Sequence, residues 1–323
     1  AKEQKLRLQQ AASGETAVVI GTHALFQEKV TFKRLALSII DEQHRFGVHQ
    51  RMALQNKAEP DKQPHQLVMT ATPIPRTLTM ALYADMDVSI IDELPKGRQP
   101  ITTHTVEAGK RDQVIERIDR VLESGQQAYW VCTLIDESDE IDAVAATRMY
   151  DELRQALPGR RVAMLHGRMK SDEKVGTMQA FKAQEIDLLV ATTVVEVGVD
   201  VPNATHMVIE NADRLGLAQL HQLRGRVGRG SQASHCFLMF NKGVSEAAKI
   251  RLNAMRDSQD GFYLAEQDLK LRGPGDILGT RQAGEQSFRI ADLSVHAHLM
   301  PQVIQRGEAL LARDHSGAQN QLV

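Results

Sequence analysis

Asp41 and Glu42 close an apolar run, LALSII, and Gln222, Arg226 and Arg229 stand in QLRGRVGR far along the chain. Together these residue types can move a phosphoryl group. A buried strand that ends in carboxylates delivers them to the edge where open α/β sheets hold ligands. Asp41 there suits a Mg²⁺ ion held through its water shell, because Mg²⁺ keeps several waters and takes few protein carboxylates. Glu42 is placed to orient and deprotonate an attacking water. Arg226 and Arg229, with Gln222 beside them, can stabilise charge that gathers on phosphate oxygens. The periodicity predicts a helix over 217–227 leading into these arginines, whose spacing of three puts them on one face. Gly225 and Gly228 within a helix would each cost ~1 kcal/mol relative to alanine, which predicts close packing. The plainer readings are an acidic surface exit at 41–42 and a solvated basic helix end at 226–229.

Two further segments fall between these in chain order, TATPIPR at 70–76 and ATTVVEVGVDVP at 191–202. Gln43 and His44, with Thr70, Ala71 and Thr72, are expected to pass nucleotide state between neighbouring strands. Thr192 and Thr193 end a strand, and hydroxyls with exposed backbone suit phosphodiester contact. A buried, threonine-rich strand is the alternative there. Nucleotide binding is assigned to Asp41, Glu42, His44, Gly198, Asp200, Arg226 and Arg229. Gly21, Thr22 and His23 end another predicted strand and could touch a nucleic-acid backbone or simply turn the chain, and His166 and Gly167 share that ambiguity. No Gly-Lys-Ser/Thr element occurs, since the one Gly-Lys pair, Gly109–Lys110, is followed by Arg111. The four segments therefore read as the later part of an ATP-driven motor that hydrolyses no ATP by itself.

These groups need sheets to hold them. Short β-branched apolar runs alternate with amphipathic helical stretches, the pattern of parallel α/β sheets. Strands are predicted at 16–21, 34–41 and 65–72 in a first lobe, and at 127–134, 161–167, 186–193, 206–213 and 235–240 in a second. Helices are predicted at 110–124, stopped by Gly125, at 138–157, stopped by Pro158–Gly159, and from Ser171. The prolines and glycine of ELPKGRQP set a lobe boundary. The expected domains are 1–95, 96–242 and a polar helical remainder, 243–323. With 323 residues and 42% hydrophobic content the chain can bury more than one core. Its 39 basic and 41 acidic residues give a near-neutral balance, so any polyanion binding is local. Cys132 and Cys236 lie in apolar runs without CxxC spacing, as buried thiols of a reducing compartment would. No apolar run is long enough for a bilayer and AKEQKLRLQQ lacks a signal pattern, which predicts a cytoplasmic protein.

The motifs DEQHRFG, TATPIPRTL and LGLAQLHQLRGRVGRG resemble superfamily 2 helicases, and DLKLRGPGDILGTRQAG at 268–284 resembles the RecG family of bacterial branch-migration helicases among them. The resemblance covers almost the whole chain. It implies two RecA-like lobes with parallel sheets, the first incomplete, followed by a C-terminal helical hairpin and loop. It implies ATP and Mg²⁺ as cofactors and branched double-stranded DNA, Holliday junctions and stalled forks, as partner, in recombination and repair. In that family a wedge domain and the phosphate loop precede the part matched here. The region 243–290 resembles that family's translocation motif: Arg251 projects from the helical stretch SEAAKIRLNAMRD, set among Ile250, Leu252 and Met255, Arg272 and Gln282 match positions that carry lobe motion to the duplex, and Arg281 offers phosphate-pairing charge. Transcription-repair coupling factors share the motor, but GPGD and LGTRQ favour the RecG family. The reading from another class is a non-catalytic DNA-binding segment.

Overall fold

A computed structural model describes residues 2–42, 57, 64–71, 87–93, 95, 97–133, 139–192, 200–272, 296 and 299–313. It forms two compact units, Ala1–Pro73 and Ile74–Val323. The division falls ahead of the boundary expected at 95/96.

The first unit opens with helix α1 (Lys2–Ser13), which ends at Gly14 with φ +80°. Strands β1 (Leu37–Ile40) and β2 (His65–Val68) pair in parallel, in register from Leu37 with His65 to Ile40 with Val68. The predicted strand at 16–21 does not form. Val18 and Ile20 stay 74% and 92% exposed, and no described strand offers that run a ladder of hydrogen bonds. β1 alternates strictly, with Ser38 and Ile40 buried and Leu37 and Ile39 exposed.

The second unit is one six-stranded sheet with helices on both faces. In chain order it runs β3 (Ile101–Glu107), α2 (Arg111–Glu123), β4 (Gln127–Val131), α3 (Asp139–Ala156), β5 (Val162–Leu165), α4 (Ser171–Lys182) and β6 (Leu188–Ala191). Then follow β7 (Ala204–Ile209), α5 (Leu217–Arg224), β8 (Ser234–Phe240), α6 (Glu246–Asp257), α7 (Gly261–Arg272) and α8 (Met300–Arg313). The strand order is β3-β8-β7-β4-β6-β5, every pair parallel. A parallel sheet covered on both faces buries every residue of its central strands, which therefore read as unbroken apolar runs. QAYWV of β4 and LLVA of β6 are buried at all positions. Alternate side chains feed opposite cores. Tyr129, Val131, Leu189, Met207 and Leu238 join one core, and Ala128, Trp130, Leu188, Val208 and Phe237 join the other.

Helix placement follows from sequence in the same way. Val114, Ile118 and Leu122 line one face of α2, which Gly125 stops at φ +81° as predicted. They pack with Leu153 of α3 under Trp130. On the other side α4, α5 and α6 contribute Phe181, Leu220, Leu223, Leu252 and Met255, and α7 adds Leu264. Burying each such side chain contributes roughly 1.5–3 kcal/mol. The hairpin α6–α7 is thus part of this unit's core rather than a free appendage. Ser245 caps α6, its hydroxyl accepting from the Ala248 N–H at 3.2 Å. Leu252 and Met255 are buried as expected, whereas Ile250 is 45% exposed, because α6 turns only one face to the sheet. Cys132 and Cys236 are both buried and free. Among the described residues no helix is long and apolar enough to cross a membrane.

Candidate functional site

The loop after α5 gathers the arginines. Leu217, Leu220 and Leu223 seat α5 in the core, but the helix ends at Arg224 and does not reach 227 as predicted. The Arg226 N–H bonds Leu223 O at 3.0 Å and the Val227 N–H bonds Arg224 O at 3.3 Å, three-residue turns that tighten the end, and Gly228 then takes φ +73°. Arg226 and Arg229 therefore sit on turns, not on one helical face. Of the two glycines expected to pack closely, Gly228 does so, for a different reason from helix packing, whereas a Cβ on Gly225 would meet only the Gln222 and His221 carbonyls at 3.4 Å. A Cβ on Gly228 would lie 2.7 Å from Ile101 Cγ1, and one on Gly230 would lie 2.7 Å from Pro202 O. The loop is thereby pressed against the start of β3 and the segment that enters β7.

That close approach sets the charges. The Arg229 Nε donates to Gly225 O at 3.1 Å, and its Nη1 lies 3.5 Å from Asp200. Arg229 and Asp200 are exposed, while Arg226 and Gln222 are half-buried. Tyr129 lies near both arginines. Burial pushes its hydroxyl up to about 12 against the pull of Arg226 and Arg229.

Two arginines escaped the sequence reading. Arg224 is 3% exposed, and its Nη1 donates to Met255 O at 2.7 Å, Ser258 O at 2.9 Å and Thr103 Oγ1 at 3.3 Å. Its Nη2 lies 3.1 Å from His221 Nδ1. Burial lowers the pKa of Arg224, and burial with the Arg224 and Arg98 charges brings His221 down to about 4. Met255 and Ser258 close α6, so the guanidinium meets the negative end of that helix. Arg98, from the segment that leads into β3, donates from Nε to Gly228 O at 3.1 Å. Nothing in an arginine-rich sequence distinguishes these two from solvated ones, because their partners are distant in the chain.

A separate ion pair, of buried Glu210 with half-buried Arg111, stands at the carboxyl end of the sheet. Glu210, 4% exposed, accepts from Arg111 Nε at 3.0 Å and Nη2 at 2.9 Å, and from Trp130 Nε1 at 3.2 Å. That hydrogen bond raises the Arg111 pKa against the opposing effect of burial.

In the first unit Asp41 and Glu42 follow β1 directly. Asp41 is exposed and Glu42 half-buried, with Glu42 at φ +54° and its N–H bonding Asp41 Oδ1 at 2.8 Å. A left-handed φ on a residue other than glycine marks a constrained turn. The Met69 N–H bonds Ile40 O at 2.8 Å, so the strand ends that carry Asp41–Glu42 and Thr70–Ala71 adjoin. The oxygen-only donors and the exposed Asp41 fit a hydrated Mg²⁺ ion. Among the described residues no group of three or more His, Cys, Asp or Glu is arranged to hold a metal directly.

For nucleic acid, Thr22 precedes a short 3-10 turn (His23–Phe26), and Gly21, Thr22 and His23 are all exposed. His166 and Gly167 follow β5, beside a cleft of about 670 Å³ whose charged and polar lining includes Arg148, Asp151, Glu152, Gln155, His166 and Arg168. The Gly167 carbonyl accepts from the Lys174 ammonium. Thr192 is 2% exposed, so its hydroxyl is not offered to a phosphodiester in this arrangement. The Arg251 Nη2 is spent on Asp213 O at 2.6 Å. Gln43, His44, Thr72, Thr193, Gly198, Arg281, Gln282 and the side chain of Arg272 lie outside the described residues.

Comparison with known proteins covers the chain in three parts. The DEAD/DEAH box helicase family matches residues 1–81, the helicase conserved C-terminal domain matches 110–231, and the family described as ATP-dependent DNA helicase RecG, domain 3, C-terminal matches 258–322. Proteins named ATP-dependent DNA helicase RecG from Escherichia coli K12 and Haemophilus influenzae are 57% and 54% identical, over 90% and 97% of this chain. The matched region is 42% and 45% of those proteins, so the chain spans less than half the length of these curated relatives. A solved structure of RecG bound to a three-way DNA junction superposes with TM-score 0.68 at 44% identity, covering 93% of this chain and 38% of that one. A Mycobacterium smegmatis helicase, Lhr, at 16% identity and TM-score 0.50, covering 69% of this chain and 30% of its own, shares the fold alone.

Proposed function

Since this chain belongs to the RecG family of superfamily 2 helicases, we propose that it is the later part of an ATP-driven translocase acting on branched double-stranded DNA, in Holliday-junction branch migration and fork regression. The observation that carries this reading is the arginine loop. Gly228 and Gly230 leave little room for a Cβ, and Arg229 stands 3.5 Å from Asp200 in the region matched by the helicase C-terminal domain.

The roles follow from the chemistry of each group. Asp41 holds the hydrated Mg²⁺, and Glu42 takes the proton from water as it attacks the terminal phosphate of ATP. Bound with the nucleotide, Mg²⁺ supplies neutralisation of charge on the phosphate oxygens. Arg226 and Arg229, with Gln222 beside them, stabilise the negative charge that spreads over the departing phosphoryl group. Gln43, His44, Thr70, Ala71 and Thr72 relay nucleotide state. Asp200 and Gly198 complete the nucleotide contacts. Gly21, Thr22, His23, His166, Gly167, Thr192 and Thr193 serve the DNA backbone, through main-chain groups where side chains are enclosed. The hairpin and its loop, with Arg251, Arg272, Arg281 and Gln282, turn lobe motion into duplex movement. We place the protein in the cytoplasm, where its DNA substrate is found in bacteria.

In a full-length RecG chain containing this sequence, Glu42→Gln is expected to lower ATP hydrolysis by about 10²–10⁴-fold while leaving junction binding within twofold. Equal loss of both, in paired ATPase and junction-binding assays, would reject the role of Glu42. A second reading, a DNA-binding segment that turns over nothing by itself, draws on the absence of a Gly-Lys-Ser/Thr element from these 323 residues. Robust hydrolysis by the 323-residue polypeptide would refute it.

A further inference from the structure

Arg98 belongs to no motif of the motor, yet it is tied to the loop that carries two of its arginines. Its Nε donates to Gly228 O at 3.1 Å, between Arg226 and Arg229 in sequence. Its two terminal nitrogens have no hydrogen bond or ion pair among the described residues. The guanidinium is half-buried, and its pKa is lowered first by burial and then by the Arg229 charge, with Asp200 opposing. The Arg98 and Arg229 guanidinium groups thus share one neighbourhood with Asp200, which stands 3.5 Å from Arg229.

A loop pin alone does not account for this. One neutral carbonyl acceptor calls for a donor and not for a full cation, and a cation set beside Arg229 is repelled by it. Using Nε for the backbone fixes the side-chain direction and leaves the Nη1/Nη2 fork unengaged. That fork matches two oxygens of a phosphate, and a multiply charged anion would offset the clustered positive charge.

We propose that Arg98 is a third phosphate-contacting arginine, binding the terminal phosphate of the nucleoside triphosphate beside Arg226 and Arg229. This rests on the phosphate-facing role given above to that pair. Once the phosphoryl group has left, Arg98 loses its ligand, so it reports the difference between triphosphate and diphosphate.

The test uses a full-length RecG chain containing this sequence, with Arg98→Gln, Arg98→Lys and Arg229→Gln made separately. Affinities for ADP and for the non-hydrolysable triphosphate adenylyl imidodiphosphate are measured by calorimetry, and ATP hydrolysis is followed on three-way junction DNA. Arg98→Gln is expected to weaken triphosphate-analogue binding and to lower kcat, each by about tenfold or more. ADP affinity and junction binding should stay within twofold. Arg98→Lys should recover part of the analogue affinity and little of kcat, because an ammonium lacks the planar fork. Unchanged analogue affinity and kcat in Arg98→Gln, with Arg229→Gln impaired, would overturn the proposal for Arg98 alone. Equal weakening of ADP and analogue would overturn it in favour of a loop pin. Full activity in Arg229→Gln as well would remove the underlying assignment of the arginine pair, and Arg98 with it.

Discussion

β1 and β2 pair in parallel just as the six strands of the second unit do, yet the two sheets are finished differently. In the second unit every central strand is sealed between two helical layers. In the first, Leu37, Ile39, Leu67 and Met69 are each at least 40% exposed. Parallel sheets ordinarily have both faces covered, so the first unit presents apolar surface of a kind that proteins usually bury. The chemistry divides along the same line. The acidic pair stands on the thinly covered sheet and the arginine loop on the sealed one.

The largest contrast should appear in amide hydrogen exchange. Within the 323-residue chain, the amides of Leu189 and Val208 should exchange at least about a thousandfold more slowly than those of Ile39 and Leu67, since buried central strands open only with the whole unit. Comparable protection in both sheets would show that the exposed face of β1–β2 carries no cost, and the contrast would collapse.

Much of this difference was legible in sequence and part was not. The unbroken apolar runs of β4 and β6 announced strands buried on both faces, and Gly125 and Gly159 fixed two helix ends. The run at 16–21 reads equally well as a strand, but a strand exists only where a neighbour pairs with it, and periodicity says nothing of neighbours. The end of α5 was missed because leucine spacing runs smoothly into Arg224, while the turn is imposed by the contact of Gly228 with Ile101, from a strand more than a hundred residues earlier. Arg224 and Arg98 were invisible for a related reason. Burial of a guanidinium is set by partners such as Thr103, 121 positions away, and no local pattern records it. Asp41, Glu42, Arg226 and Arg229 stood out because motif spacing constrains their chemistry directly.

A second contrast concerns how each unit holds its charged residues. Arg224 is enclosed, and Arg224→Met would leave the Met255 and Ser258 carbonyls without their donor. Stranded buried acceptors cost about 1–3 kcal/mol each, so a loss of ~3 kcal/mol in urea denaturation of the second unit is expected. Arg224→Lys should recover less than half, since one ammonium cannot span His221 and both carbonyls. Glu42→Gln, at a half-buried turn in the first unit, should change stability by less than about 1 kcal/mol. Equal effects at the two sites would mean that the arginine loop is no more firmly built than the acidic turn.

The smallest effect is a dependence on pH confined to the sealed unit. On its sheet His104 Nε2 lies 3.2 Å from His235 Nδ1, and the His206 ring lies tilted at 5.0 Å from that of His235, with Thr205 Oγ1 2.8 Å from His206 Nδ1. Burial first, then the charges of His235, Arg117 and His104, depress His206 to about 4, while burial and then the Arg117 charge lower His104 and His235, with His104 adding to the effect on His235. No carboxylate is among the causes that would favour the charged form. Between the unfolded value near 6.5 and the folded value near 4, the unfolded chain binds a proton that the folded chain refuses. Stability is therefore full above about pH 6.5 and falls as the solution is acidified through that window. For His206 the loss by pH 5 should be ~2 kcal/mol. His206→Asn should flatten that part of the profile in urea denaturation at pH 7 and pH 5, while the first unit's exchange rates, corrected for intrinsic pH dependence, stay level. An acid loss that survives His206→Asn unchanged would move the sensitivity to His221, which burial beside Arg224 also brings to about 4, and so to the arginine loop itself.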